Sequence, residues 1–264
     1  NLINNQNEFN KIFLSSKKPI IIIGESALEL KSGNYILEEL KKFLNTHKFI
    51  SEKWNALNVL AQNASTVGSI DLNLLSFTNE NNFTFFDNLE KNNFKFLYLL
   101  GSDNLEIKKN NEFIVYQGSH GDKGAEIADI ILPSPAYTEQ NGLYTNLEGR
   151  VQECRKASYP TGVAKEDWKI FNLILNKLKK DKICDDQIFL KNEVKKILPD
   201  YAGVDILPKK KISIKETKPK TFINEKIKIN KVDYYYSNTI SRASKTMSDC
   251  RKIISNQLKD GTNN

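Results

Sequence analysis

The chain has little of what a redox or metal centre is built from: among its 264 residues are three cysteines, Cys154, Cys184 and Cys250, and two histidines, His47 and His120. The cysteines are far apart and odd in number. They form neither a C-x-x-C pair nor the clustered spacing that a zinc or iron–sulfur site requires. This excludes a metal site assembled from sequence neighbours and reads as free thiols in a reducing compartment. Long apolar runs are also missing. "PIIIIG" and "FKFLYLLG" are strand-sized, well short of the roughly 20 residues that cross a bilayer as a helix, so the expectation is a soluble chain with no direct membrane span. The opening "NLINNQNEFNKIF" has no charged region followed by an apolar one and no Arg-rich transit character. With no initiator Met, a processed or fragmentary start is expected.

What is present suffices for one substantial core, with room for a second small domain or a long tail: 39% of residues are hydrophobic and 10% aromatic. Lys and Arg number 39 against 32 Asp and Glu, a net charge of +7 that permits acidic partners without requiring them. In "KKPIIIIGESAL" the residues Ile20 to Ile23 are apolar on both faces and stop at Gly24, which predicts a buried parallel strand and a tight turn into a helix. Helical spacing follows in "NYILEELKKFLNTH", with Ile36, Leu37, Leu40, Phe43 and Leu44 on one face and Asn34 as N-cap. "WNALNVLAQNAS" repeats that periodicity through Leu57, Leu60 and Ala61, and a short helix is expected in the Asn-rich segment after it. Strands are expected at Phe94 to Leu100, Glu112 to Gln117 and Ile130 to Leu132, the last stopped by Pro133, which has no N–H for the ladder. Strands alternating with helices imply a parallel α/β sheet. Amphipathic helices are predicted in "EDWKIFNLILNKLKK" and "DQIFLKNEVKKIL". The lysine-rich "PKKKISIKETKPKTFINEKIKINK" reads as an extended arm over a surface. In the final stretch Ile240, Ala243, Met247, Cys250, Ile254 and Leu258 recur at helical spacing behind Asn238, an apolar stripe that must dock on its own domain or a partner. The division expected is an α/β domain over 1–205 and a basic arm with a docking helix over 206–264.

Two stretches invite a chemical reading. In "GSHGDKGAEIAD", Gly118, Gly121 and Gly124 follow a strand, but the spacing is G-x-x-G-x-x-G, neither the dinucleotide G-x-G-x-x-G nor a triphosphate loop ending in G-K-[ST]. His120 beside Asp122 could pair as base and orienting carboxylate, yet no Ser or Cys nucleophile stands nearby. Turns and close backbone approach explain the glycines better. In "ADIILPSPAYTEQNGLYTNLEGR", Gly142 and Gly149 mark turns. Arg150 with Glu139 or Glu148 offers an ion pair that pins chain segments in a strand's exit loop.

The segment "QGSHGDKGAEIADIILPSPAYTEQNGLYTNLEGRVQ", with "GVAKEDWKI" after it, resembles the C-terminal region of the large iron–sulfur subunit of respiratory complex I. "DYYYSNTISRASKTMSDC" is similar to that subunit's last segment, and "PIIIIGESAL" to the opening of the same region. The A-D-I-I-L-P and N-L-E-G-R-V-Q words are shared more loosely with molybdopterin oxidoreductases. The resemblance implies an α/β, Rossmann-like parallel-sheet domain of the molybdopterin oxidoreductase type that has lost its molybdenum cofactor, with the iron–sulfur clusters held by Cys and His motifs upstream of anything present here. It therefore implies no catalytic, cofactor-binding or metal-ligating residue on this chain. The role implied is structural support, within the mitochondrial peripheral arm on the matrix side, for an N-terminal cluster-bearing half and adjacent subunits. The subunit is then either split into two polypeptides or represented here by a fragment. Two rivals are a piece of an active molybdopterin oxidoreductase, with the loops after Gln117 on a pterin phosphate, and a nucleic-acid module using Lys209 to Lys231.

Overall fold

A computed structural model describes residues 8–74, 85–182, 184–197, 203–207, 221–225 and 233–259. The alternation of strands and helices is realised as an α/β architecture with parallel sheets, divided into two compact units. The first comprises Asn1–Leu74, Leu143–Gln152 and Lys195–Ile229; the second comprises Leu75–Gly142, Glu153–Val194 and Asn230–Asn264.

In unit 1, helix α1 (Phe9–Ser15) precedes strand β1 (Ile21–Gly24), and α2 (Glu25–Leu28) and α3 (Gly33–Thr46) follow it. The α3 stripe buries Leu40, Phe43 and Leu44, the last two packing with Phe13 and Ala56, and Phe49 sits edge-on to Phe13 at 5.5 Å. The helix begins at Gly33, so Asn34 lies in its first turn and Ser32 occupies the capping position. The Ser32 hydroxyl instead donates to the carbonyl of Ile223 at 2.7 Å and accepts from its N–H at 2.8 Å. The Lys31 N–H donates to Glu225 at 2.6 Å, and Phe222 sits edge-on to Tyr35. Residues 221–225 of the predicted arm are thus pinned to the head of α3; the lysine-rich stretches 208–220 and 226–232 lie outside the described residues. Ser32→Ala removes both bonds to Ile223. It is expected to cost about 1 kcal/mol of local docking, read as faster amide exchange at Ile223 with the global melting transition unchanged.

After the two-residue hairpin β2 (Ile50–Ser51) and β3 (Trp54–Asn55), the chain forms β4 (Leu57–Leu60), which pairs parallel with β1 in the register Ile21 to Leu57. The helix expected over this stretch is not formed. Leu57 and Leu60 have helical spacing, but pairing with β1 outweighs it and sends them to opposite faces of a strand. The parallel strand at Ile21–Gly24 is as expected; its burial on both faces is not. Ile23 is buried, whereas Ile22 is 65% exposed. Helix α4 (Thr66–Asp71) follows.

In unit 2, α5 (Phe85–Glu90) is the short helix expected in the Asn-rich segment. Strands β5 (Phe96–Leu100) and β6 (Phe113–Gly118), short helix α6 (Lys123–Glu126) and β7 (Ile130–Pro133) follow, with the strands in parallel order β5-β6-β7. Strand alternation sends Leu97, Leu99, Ile114 and Tyr116 to one face, where Ile107, Phe85 and Leu89 complete a core. Pro133 is the last residue of β7, an edge strand, where a residue without an N–H is tolerated. The hairpin of β8 (Gly142–Thr145) and β9 (Val151–Cys154) falls largely to unit 1, whereas α7 (Asp167–Lys177) and most of α8 (Gln187–Ile197) belong to unit 2. Phe171 of α7 packs on Tyr98 at 5.6 Å. The terminal helix is two helices, α9 (Thr239–Ala243) and α10 (Lys245–Lys259), broken where Ser244 turns extended. Asn238 caps α9 as predicted, in a full capping box with Ser241.

Candidate functional site

Ligands of open parallel sheets bind outside the carboxyl ends of the strands, so that crevice is where chemistry is sought in unit 2. Strand β5 leaves through Gly101, whose φ of +62° lies in the left-handed region, and reaches Asp103 two residues on. Strand β6 leaves through Gly118, His120 and Asp122 into α6. The two aspartates converge on one cation. Arg242, from α9, places Nε 2.5 Å from Asp122 Oδ2 and Nη2 3.0 Å from Asp103 Oδ2, while Nη1 donates to the Tyr236 carbonyl at 3.3 Å. The three charged side chains are only 14–19% exposed. Next to them Arg251 holds Asp233 at 2.5 Å and lies over the Tyr236 ring, so the whole 233–251 segment is gripped by arginine.

Burial raises the Asp122 carboxyl, but the Arg242 hydrogen bond, the Lys123 backbone N–H and the nearby positive charges outweigh it and hold the group below its ordinary value. Beneath the aspartates, the Tyr116 hydroxyl donates to the His120 carbonyl at 2.9 Å. Burial first, then the Asp103 and Asp122 charges, push that phenol up to about 12.

The glycine run is explained by the same tyrosine. A methyl group on Gly124 would lie 2.6 Å from the Ser102 carbonyl oxygen and 2.9 Å from the Tyr116 ring, and one on Gly118 would strike the Tyr116 phenol, whereas one on Gly121 would meet nothing within 4 Å. Two of the three glycines are there to let the backbone close around a buried ring. The His120–Asp122 pair is not formed: the His120 ring bonds Ser119 at 2.9 Å, and Asp122 caps α6 and binds Arg242. A second polar network is buried under α7. Gln117, fully buried, accepts from the Tyr98 hydroxyl and donates to Asp167 at 2.7 Å. Burial, then the Asp167 charge, raise Tyr98.

The other residues singled out are scattered. In the Asn146–Arg150 turn, Gly149 has φ +80°, and Asn146 Oδ1 accepts from the N–H groups of Glu148 and Arg150 at 3.0 Å. Arg150 reaches Glu148 only at 3.8 Å, a loose and exposed pair. Glu139 accepts from the Ala136 N–H at 3.1 Å. Gly142 opens β8. Cys154, Cys184 and Cys250 are free; burial, then Asp185 and Asp186, raise the Cys184 thiol. His47 packs on Phe43 at the end of α3. Among the described residues no group of three His, Cys, Asp or Glu could hold a metal ion, and no helix is long and apolar enough to cross a membrane.

A pterin phosphate does not fit the unit 2 crevice. A phosphate needs free N–H groups and positive charge. Here two carboxylates face one guanidinium that they already occupy, and Lys123 is paired with Glu106. The carboxyl end of β1 in unit 1 is similar in kind, since the Glu25 carboxylate accepts from the Gln62 N–H at 2.7 Å.

Sequence reasoning missed Asp103, Tyr116 and Arg242. One signal for Arg242 exists: the chain has four arginines against 35 lysines, so an arginine in the terminal segment is a candidate for a place where a planar, forked donor serves and a lysine does not.

The model of the molybdopterin oxidoreductase family matches residues 1–177. The chain is 38% identical over 248 residues to the NADH-ubiquinone oxidoreductase 75 kDa subunit of Reclinomonas americana, a match covering 93% of this chain and 36% of that protein. It is 37% identical over 249 residues to the mitochondrial 78 kDa subunit of the same enzyme from Candida albicans, covering 89% and 33%. To a subunit of the NADH-quinone oxidoreductase of Rickettsia bellii it is 36% identical over 246 residues, covering 93% and 34%. The chain thus spans about a third of the length of these curated relatives.

Proposed function

Since the chain belongs to the molybdopterin oxidoreductase family, we propose that it serves that fold without its cofactor, as a structural part of the peripheral arm of complex I. In this reading it is the C-terminal portion of the large iron–sulfur subunit. It supports the N-terminal cluster-bearing portion and neighbouring peripheral-arm subunits during electron transfer from NADH to ubiquinone, on the matrix side of the mitochondrial inner membrane. It carries no catalytic residue and no cofactor of its own. The similarity to subunits of NADH-ubiquinone oxidoreductase along some nine-tenths of the chain supports the assignment to that complex. The observation that carries the cofactor-free role is the filled crevice: Arg242 seals the carboxyl ends of β5 and β6 through Asp103 and Asp122. Residues 206–264, in the same reading, act as an arm that spreads contact area and ends in the docked α9–α10 pair.

The test is metal and pterin analysis of the isolated chain. Iron, molybdenum and extractable pterin are expected far below one equivalent. One equivalent of pterin or molybdenum would show instead a piece of an active molybdopterin oxidoreductase, and stoichiometric iron would place a cluster on this chain.

A further inference from the structure

Helix α7 has more apolar surface than unit 2 covers. Phe171 packs on Tyr98 and Ile170 is buried, but Leu173 and Leu178 of the same segment are 53% and 64% exposed. With Val163, 77% exposed, and Leu132 of β7 they line an open groove of about 390 Å³. The charged residues that line it are Lys165, just before the helix, and Lys177, at its end. A second groove adjoins the first at Leu173, and its charged lining is again all lysine: Lys165, Lys169 and Lys182. Among the described residues Lys165 and Lys177 meet no carboxylate, so their charge is open to one from outside.

Beside the groove, the end of β7 is closed to a further strand. Pro133 has no N–H, and its carbonyl already accepts from the Lys165 N–H at 3.3 Å. The occupant therefore brings side chains to the groove, not backbone, and an amphipathic helix laid in an apolar groove is the arrangement that does so. Lysines at both ends of an 11-residue helix, about 16 Å long, call for negative charge at both ends of the occupant. A fatty acid has one carboxylate and satisfies one end. We propose that the α7 groove is the seat of an acidic amphipathic helix, about three turns long, from a neighbouring peripheral-arm subunit, with its apolar stripe on Leu173 and Leu178 and Asp or Glu at its two ends facing Lys165 and Lys177. The inference rests on the function proposed above and deepens it by naming a contact surface and the chemistry of its partner.

The test places a photo-crosslinking benzoylphenylalanine at position 173 or 178 of the tagged chain, expressed in its source cells, and identifies the attached peptides in the isolated assembly. Both positions are expected to reach one helical segment of a neighbouring subunit, with Asp or Glu on either side of an apolar stripe. Lys165→Glu together with Lys177→Glu is expected to lower incorporation into the assembly about tenfold or more, because like charges then face each other at both ends. Lys179→Glu together with Lys180→Glu makes the same change of net charge on exposed side chains that do not line the groove, and should leave incorporation unchanged. All four lysines are exposed, so the melts of both double variants should match that of the unsubstituted chain. Crosslinks to a basic or strand segment, to the cluster-bearing portion, to a second copy of the chain or to nothing overturn the proposal, as does equal incorporation of the two double variants; each leaves the function standing. Absence of the unsubstituted chain from any iron–sulfur assembly overturns the function together with the surface.

Discussion

Arg242→Ala is expected to free residues 233–259 from the end of the sheet and to lower the stability of unit 2 by about 2–3 kcal/mol. The size follows from what remains. Asp103 and Asp122, each less than a fifth exposed, would face each other without a counter-ion, and the Tyr236 carbonyl would lose a donor. Removing one partner of a fully buried pair costs about 3–5 kcal/mol, and the residual solvent here lowers that figure. Amide exchange across α9 and α10 should accelerate and limited proteolysis should cut near Ser244, while unit 1 exchanges as before. Arg242→Lys should recover little, because a point charge cannot bridge two carboxylates as a fork does. Asp122→Asn in the Arg242→Ala background should recover part of the loss, which separates charge repulsion from lost packing. The pH dependence has a definite sign. A carboxylate depressed in the folded state stabilises fully above its unfolded value, about 3.9, and loses that contribution as pH falls through the folded value. The Asp122 contribution should therefore hold at pH 5 and disappear only below about pH 4. Unchanged exchange in α9 and α10 on losing Arg242 would sink the idea that this ion pair seals the crevice.

What could be read from the residues depended on range. The strands at Phe96–Leu100 and Phe113–Gly118 declare themselves by short apolar runs stopped by glycine, and α3 and α7 by stripes with a 3.6 period, because those signals are local. Leu57–Leu60 misleads for a physical reason: a three-residue spacing of leucines suits a helix, and only the distant Ile21–Gly24 makes it a strand. Ile22 misleads for another, because apolar residues on both sides of a strand predict burial on both faces, whereas Ile22 is 65% exposed among the described residues. The break at Ser244 has no strong local mark, since neither glycine nor proline stands there. The ion triad was illegible as a set: Asp103, Asp122 and Arg242 are separated by up to 139 positions, and pairing across such distances is decided by the fold. The glycine run was legible in kind, as close backbone approach, but not in object, because nothing local says that Tyr116 is what the backbone closes around.

The glycine run also supplies the sharpest separation between a packed turn and a phosphate cradle. Gly124→Ala is expected to lower the stability of unit 2 by about 3 kcal/mol, since overpacking a closed site costs about 1–3 kcal/mol and more where the obstacle cannot move. The obstacle here is a backbone carbonyl, that of Ser102 at 2.6 Å, on one side and the Tyr116 ring on the other. Neither can yield: Tyr116 is 1% exposed and anchored through its hydroxyl, and the Gly124 N–H is itself bonded to the Asp103 carbonyl at 3.1 Å. Pushing Gly124 away would loosen the backbone that holds Asp103 against Arg242, so stability and docking of the 233–259 segment should fall together. Gly121→Ala, three residues earlier in the same run, meets open space and should change stability by no more than about 0.5 kcal/mol. Thermal melts of the two variants decide the matter. A phosphate cradle would make Gly121 and Gly124 alike sensitive in ligand binding and leave the unliganded melts close to one another; packing around Tyr116 makes only the second of them matter, and makes it matter with no ligand present.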